Sequence, residues 1–494
     1  MLLRKLITIF LFYLILLTLS CNSTEKKSEP TDRKNTLYVN LGIYTPGTKL
    51  MFGEPLQASQ IIADKYSQLH PEIKFRFVQQ VMIGGSLEGE WLKAQLTGGI
   101  APDIISQNAE VSWQDVPKGW YIPLDEYLQK PNPYIAGNLH WMDSFVNLAM
   151  VNAKRAADGK LYCLSVDIVE TAIYYNKTLF QKLNLKLPET WSEFIQIQQR
   201  LLDNGIMPLP SYQNLVSDWG QDIIFDMLYY EIIDQLDVEP SLENQQAYMV
   251  HYLTLKEVAF LYSKGFFTRR DPRWVEMHRI LKEWRKYWAK ELKNTDTARL
   301  FLTNRVAMNW DGSWFSRRLL FDPYLDFEWG IFYLPKITKS TSPFGCGVEA
   351  SVIGGAAIQL HVTNSATIYD HLEQVIDFLM FYTAPQNFEP VIKETMMFLP
   401  NIKGIEIPKE LAPINDIFQR RYCAIKWLES FDPKYKSYWR RMLDLFLNDG
   451  LSLDQYLEIL ENNFQQILDE KLIQENWDFS DYEKKWQNSR VALE

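Results

Sequence analysis

Short apolar runs alternate with amphipathic stretches along the chain. Leu37-Tyr38-Val39-Asn40-Leu41 has the β-branched and aromatic content of a strand. Residues 55–69 then set Leu56, Ile61, Ile62, Tyr66 and Leu69 at helical spacing, and Pro71 stops that helix. A second strand is predicted at Ile73-Lys74-Phe75-Arg76-Phe77-Val78, a helix over 88–97 ended by Gly98-Gly99, and a short buried strand at Pro102-Asp103-Ile104-Ile105-Ser106. The alternation restarts after residue 160, with a strand at Ala172-Ile173-Tyr174-Tyr175 and an amphipathic helix over 191–203 closed by Asn204-Gly205. Such alternation predicts two α/β units built on mostly parallel sheets with crossover helices.

The pattern changes between about 220 and 300, where helical spacing carries many aromatics, among them Trp274, Trp284, Tyr287 and Trp288. Interleaved bases suggest a nucleic-acid stacking platform, but Glu276, Glu283 and Glu291 balance them, so a packed helix with one solvated face is the better reading. Strands are predicted at Val306-Ala307-Met308-Asn309-Trp310 and Trp329-Gly330-Ile331-Phe332-Tyr333-Leu334. Residues 336–347, with Pro343, Gly345 and Gly347, read as a linker. A strand at Ala356-Ala357-Ile358-Gln359-Leu360, a helix over 368–383 and a mostly helical segment over 410–474 complete the pattern.

Composition narrows the class. The 494 residues are 47% hydrophobic and 14% aromatic, enough for a large core. The formal net charge of −10, without a basic block, argues against nucleic-acid binding, whose affinity comes mostly from neutralising phosphates. Four cysteines (Cys21, Cys163, Cys346, Cys423) form no CxxC pair, and the six histidines show no zinc-ligand spacing, so no metal or cofactor is expected.

At the N-terminus, Arg4 and Lys5 precede an apolar run from Leu6 to Leu19, too short to span a bilayer comfortably but suited to the core of a signal peptide. The run ends at Thr18-Leu19-Ser20-Cys21, followed by a polar stretch, Asn22 to Pro30. This looks like a bacterial lipobox with its Leu shifted by one place. It implies a signal peptide at 1–20, a lipidated Cys21 opening the mature chain, and a flexible tether over 21–35. A signal peptide cut elsewhere, or an uncleaved anchor, is the alternative.

Recognised catalytic motifs are absent. There is no HExxH, phosphate loop or nucleophile elbow, and Gly345-Cys346-Gly347-Val348-Glu349-Ala350 follows Pro343 instead of joining a strand to a long helix, as a dinucleotide loop would. Glycoside hydrolysis is the remaining enzyme class, since it needs only two suitably spaced carboxylates. The long helical stretches leave little room for the eight strand-helix repeats of a barrel.

Several separate segments resemble the family 1 extracellular solute-binding proteins, the receptors of sugar-importing ABC transporters. Gly98-Gly99-Ile100-Ala101-Pro102-Asp103-Ile104-Ile105 and Gly119-Trp120-Tyr121-Ile122-Pro123-Leu124-Asp125-Glu126-Tyr127-Leu128 look like two of the family's elements. Asp158-Gly159-Lys160-Leu161-Tyr162, Tyr174-Tyr175-Asn176-Lys177-Thr178-Leu179-Phe180, Leu187-Pro188-Glu189-Thr190-Trp191 and Gly205-Ile206-Met207-Pro208 follow in the family's order. Phe301-Leu302-Thr303-Asn304-Arg305-Val306-Ala307-Met308 and Gly312-Ser313-Trp314 come later. Asn304 stands where Gly is common, and Cys163-Leu164-Ser165 replaces the usual Gly-x-Pro.

The resemblance implies an α/β, two-lobed periplasmic-binding-protein-like fold (type II), with hinged lobes and a ligand cleft between them. Lobe one would hold residues 36–164 and 345–400, lobe two 165–344 and 401–494. It also implies a monomeric receptor, held by a lipid anchor on the extracytoplasmic side of a membrane, that captures a carbohydrate and passes it to an ABC permease and its ATPase without covalent chemistry. A surface glycoside hydrolase, or a sugar-binding sensor or adhesin uncoupled from transport, are the alternatives, and some relatives take polyol phosphates.

Ligand groups are expected on loops at the carboxyl ends of strands: Tyr44, Gln107, Asn108, Glu110, Asp167, Asp311 and, as aromatic platforms, Trp219 and Trp314. Carboxylates and amides suit sugar hydroxyls, and an indole face covers the C–H side of the ring. Trp314 matches a ligand-stacking aromatic of the maltodextrin-binding relative. The altered Ser165 blurs the register, so Glu170 stands as the alternative to Asp167.

Overall fold

The computed structural model describes residues 33–79, 87–152, 154–156, 158–210, 219–238, 253–289, 297–351, 357–412, 414, 421–422 and 433–487. Cys21, Cys423 and the whole predicted leader and tether up to residue 32 lie outside them.

Strands form where β-branched and aromatic residues run between turns. In chain order they are β1 (Thr36–Val39), β2 (Lys74–Phe77), β3 (Ile104–Ser106), β4 (Cys163–Ser165), β5 (Asp167–Ile168) and β6 (Thr171–Asn176). After a long helical excursion come β7 (Met308–Gly312), β8 (Trp329–Phe332), β9 (Ala350–Ser351), β10 (Gln359–Val362), β11 (Leu399–Pro400) and β12 (Arg421–Tyr422).

Two sheets define two lobes. Lobe one is built on a five-stranded sheet in the order β2-β1-β3-β10-β4. Its first three strands are parallel, as expected of strands joined by the helices Ala58–Leu69 and Leu87–Thr97. β10 arrives late in the chain and runs antiparallel to both β3 and β4. Its core joins Leu37, Val39, Ile62 and Tyr66 to Leu360, Phe378, Phe388 and Ile392.

Lobe two is built on β7-β6-β8, and both pairs are antiparallel. The expectation of a mostly parallel sheet therefore fails here. A buried strand has the same apolar pattern in either direction, and a return after more than a hundred intervening residues can enter the sheet from either end. Parallel bridges Met207↔Val306 and Thr190↔Lys336 lie outside the named strands.

The helix Trp191–Asp203 begins at a capping box, in which Thr190 and Glu193 satisfy each other's backbone N–H groups, and it buries Trp191, Phe194, Ile197 and Leu201. Trp284 meets Trp191, Phe194, Trp288 and Trp310 with ring centroids 5.0–5.9 Å apart, so the aromatic helices are core, not a stacking surface. The C-terminal helices Pro433–Leu447 and Leu453–Gln474 close this core with Trp439, Tyr456 and Phe464.

Residues 336–347 are a packed loop, not the linker their composition predicts. Ile337 is fully buried and its carbonyl accepts the Gly347 N–H at 2.8 Å. A Cβ at Gly345 would collide with the Thr338 carbonyl, which explains a glycine in a packed place.

Candidate functional site

The lobes are joined where β4, β5 and β6 follow one another, with Val166 alone between the first two and Val169-Glu170 between the last two. β5 pairs with β11 as a two-stranded antiparallel ribbon, Pro400 opposite Asp167 and Leu399 opposite Ile168. The predicted ligand residues gather on either side of this crossing.

On the lobe-one side lie the carboxyl ends of β1, β3 and β4. The turn after β1 is a single 3-10 turn, Gly42–Tyr44, with Thr45 Oγ1 accepting the Leu41 N–H at 2.9 Å. Gly42 has φ +60°, and a Cβ there would come within 2.8 Å of Ser106 Oγ and closer still to Ile358 Cδ1, so glycine lets this turn lie against the ends of β3 and β10. Tyr44 is thereby aimed at the crossing. Its hydroxyl donates to Asp167 Oδ2 at 2.6 Å, while Asp167 Oδ1 accepts the backbone N–H groups of Ala357 at 2.7 Å and Ile358 at 3.1 Å.

Both Tyr44 and Asp167 are buried. Asp167 thus ties lobe one's first turn to two crossing segments instead of presenting a carboxylate to a ligand. Burial pushes its carboxyl up to about 7, against the downward pull of its three hydrogen bonds.

Gln107 continues β3 and is half-buried. Its Oε1 accepts the Tyr121 hydroxyl at 2.9 Å and its N–H donates to the Gln359 carbonyl at 3.1 Å. Asn108 is exposed at the start of the one-turn helix Ala109–Ser112, where Gln359 Oε1 accepts the Ala109 N–H at 2.9 Å. Glu110 lies in that turn, and its side chain is outside the described residues. Gln359, a buried amide that fastens this turn, carries no sequence signal beyond its place in an apolar strand.

On the lobe-two side, β7 ends at Asp311-Gly312 directly opposite the start of β6, with Gly312 paired to Thr171. The Ser313 N–H donates to the Glu170 carbonyl at 2.7 Å, which binds the turn after β7 to the residue just before β6. Glu170 is fully buried, with Oε1 accepting the Thr171 N–H at 2.8 Å.

Asp311 Oδ1 accepts the Gly312 N–H at 2.8 Å and Oδ2 the Asn309 amide at 3.2 Å, and the Trp314 indole also donates to it. Burial pushes Asp311 up to about 6. A Cβ at Gly312 would overlap the Trp314 ring, so the indole packs directly against that glycine. Trp219 meets Trp314 edge to face with centroids 5.8 Å apart, both are half-buried, and Trp219 also meets the fully buried Trp310 edge to face at 6.0 Å.

Tyr44 and Asp167 therefore form one pair, Asp311, Trp314 and Trp219 another group, and Gln107 with Asn108 a third. All three lie at the ends of strands flanking the crossing. Residues 352–356 and 211–218, which precede Ala357 and Trp219, are outside the described residues. Among the described residues no cluster of His, Cys, Asp and Glu is suited to hold a metal ion, and no helix is long and apolar enough to cross a membrane.

A hinge between two α/β lobes, with strand-end loops converging on it, is the architecture of a solute receptor. The family model "bacterial extracellular solute-binding protein" matches residues 62–414, and the chain belongs to that family. Its members are binding proteins of the extracytoplasmic side, as the resemblance in the sequence implies.

The chain is 31% identical over 116 residues to the multiple sugar-binding protein of Streptococcus mutans, a match covering 23% of this chain and 24% of that protein. It thus spans about a quarter of that curated relative's length. Among solved structures, ligand-free RafE from Streptococcus pneumoniae superposes with a TM-score of 0.61 at 15% identity, covering 86% of this chain and 96% of that one. UgpB from Mycobacterium tuberculosis in complex with glycerophosphocholine gives a TM-score of 0.61 at 15% identity, covering 89% of this chain and 99% of that one. These similarities show the two-lobed fold.

Proposed function

We propose that this protein captures an uncharged carbohydrate between its two lobes and hands it, chemically unchanged, to an ABC permease with its ATPase. Lobe one is then residues 36–164 and 345–400, and lobe two residues 165–344 and 401–494. The observation that carries the reading is the crossing itself. Asp167 is bonded to the first turn of lobe one, and three residues later Glu170 is bonded to the Trp314 turn of lobe two, so a polar wall and an aromatic wall meet at one hinge.

The proposed hydroxyl-binding residues of the polar wall are Gln107, Asn108 and Glu110. The aromatic wall offers Trp314 and Trp219 to the C–H face of a sugar ring. Asp311, raised by burial, orients the Trp314 indole. The similarity to a multiple sugar-binding protein supports the ligand class. An uncharged guest is favoured over a phosphodiester such as the one bound by UgpB, because Asp167, Glu170 and Asp311 gather here and the guanidinium of Arg317 is engaged by backbone carbonyls.

Thermal-shift screening over a panel of neutral saccharides tests the reading. A ligand at 100 times its Kd should stabilise the protein by about 2.7 kcal/mol. No shift with any saccharide, alongside a shift with glycerophosphodiesters, would overturn the ligand class. New reducing ends after incubation with oligosaccharides would overturn release of the guest intact. The anchor belongs to the same proposal: Cys21→Ser should release the protein from membranes of cells that express it.

A further inference from the structure

Arg317 lies one helical turn beyond Trp314, in the helix Phe315–Phe321 of lobe two, yet every hydrogen bond its guanidinium makes reaches lobe one. Nη1 donates to the carbonyls of Glu394 at 2.7 Å and Thr395 at 2.9 Å, and Nη2 to the carbonyl of Phe52 at 2.9 Å. The residue is only 4% exposed.

Lobe one builds the receiving site by itself. Glu394 and Thr395 end the helix Pro385–Thr395, which Met396 closes in the left-handed region at φ 52°. The last carbonyls of a helix lack partners within it and carry the negative end of its dipole, so a cation is welcome there. The Glu394 carboxylate fixes this helix end by accepting the Gln57 and Ala58 N–H groups at 2.7 and 3.0 Å, at the start of the helix Ala58–Leu69. The third carbonyl comes from a turn in which Phe52 has φ 64° and Gly53 φ 89°, and a Cβ at Gly53 would approach Nη2 to 2.8 Å.

We propose that Arg317 is a positioning residue for the ligand site: a latch carried by lobe two and received by lobe one that sets the spacing of the two walls and holds the Trp314 turn between them. The inference rests on the reading of a solute gripped between lobes. Trp314 itself packs against the lobe-one core as well as the small apolar cluster of Phe301, Phe315 and Leu319 in lobe two, so a shift of this helix moves the platform.

The test compares full-length wild type with Arg317→Met, which keeps the apolar stem and removes the donors. Saccharide affinity should fall by about 10-fold or more, mostly as faster dissociation, as loss of charge-assisted hydrogen bonds in the bound state requires. The ligand-free radius of gyration in small-angle scattering should rise, and Arg317→Lys should restore part of both. Affinity within twofold of wild type and an unchanged radius would overturn the latch.

If Arg317→Met fails to fold, Gly53→Ala crowds the guanidinium from the lobe-one side and should weaken binding by a smaller factor with faster dissociation. Unchanged dissociation there would overturn the proposal equally. A wild-type chain that binds no saccharide would sink the functional reading, whereas the radius comparison would still decide the latch.

Discussion

The two walls that meet at the crossing are made by different means. Lobe one presents short loops at the ends of a mixed sheet and fills the space behind them with hydrogen bonds: Tyr44 to Asp167, Tyr121 to Gln107, Ala109 to Gln359. Lobe two presents one turn at the end of an antiparallel strand and backs it with indoles that meet edge to face, Trp219 against both Trp314 and Trp310. A polar wall depends on partners distant in sequence being in register, because an unmatched buried polar group is costly. An aromatic wall depends on packed area. The two should respond differently to substitution.

The largest effect is expected beneath the aromatic wall. Trp310→Ala removes a fully buried indole and should cost about 3–5 kcal/mol of stability, read by denaturant titration, with binding lost only as the fold is lost. Trp314→Ala, at a half-buried indole that Trp219 joins to Trp310, should reverse the balance. Affinity should weaken by about 1–3 kcal/mol, measured calorimetrically, with a smaller loss of stability. Equal stability losses at the two positions would erase the distinction between support and platform.

The polar wall should show itself in pH dependence. Asp167 is raised to about 7 from 3.8, so between about pH 4 and 7 the folded chain keeps a proton that the unfolded chain has released. Its contribution to stability is then greatest at the acid end, falls as pH rises through this window, and levels off above it. The slope is at most about 1.4 kcal/mol per pH unit for one group. Subtracting the stability curve of Asp167→Asn from that of wild type isolates it, and a difference flat from pH 4 to 7 would contradict the burial argument. Asp311, raised to about 6, should behave alike over a narrower range.

The smallest effect is expected for Tyr44→Phe, which removes one of three donors to Asp167. Stability at pH 8 should fall by about 1–2 kcal/mol, and the pH-dependent window should extend upward, because the carboxylate loses part of its compensation.

Much of this architecture is legible along the chain. The helix at 191–203 is readable to the residue because Thr190 and Glu193 cap one end and Gly205 follows the other. The strands at 36–39, 74–77, 104–106 and 171–176 fall within a residue or two of their apolar runs. The Gly312-Ser313-Trp314 turn and the polar ends of β1 and β3 stand where strand-end loops are expected. The linker at 336–347 misleads because Gly345 serves close packing, and a glycine needed for lack of space has the same letter as one needed for flexibility.

What the sequence by itself determined is therefore local: which segments extend or coil, where they stop, and which residues sit at their ends, because turns, caps and apolar periods act between near neighbours. Tertiary structure alone decided strand direction in lobe two and the pairing of Tyr44 with Asp167, 123 residues away. It also decided that Arg317 reaches back 265 residues to Phe52. A hydrogen bond depends on distance and angle at its two ends, and nothing in the identity of either residue records which remote carbonyl or carboxylate the folded chain will bring within 3 Å.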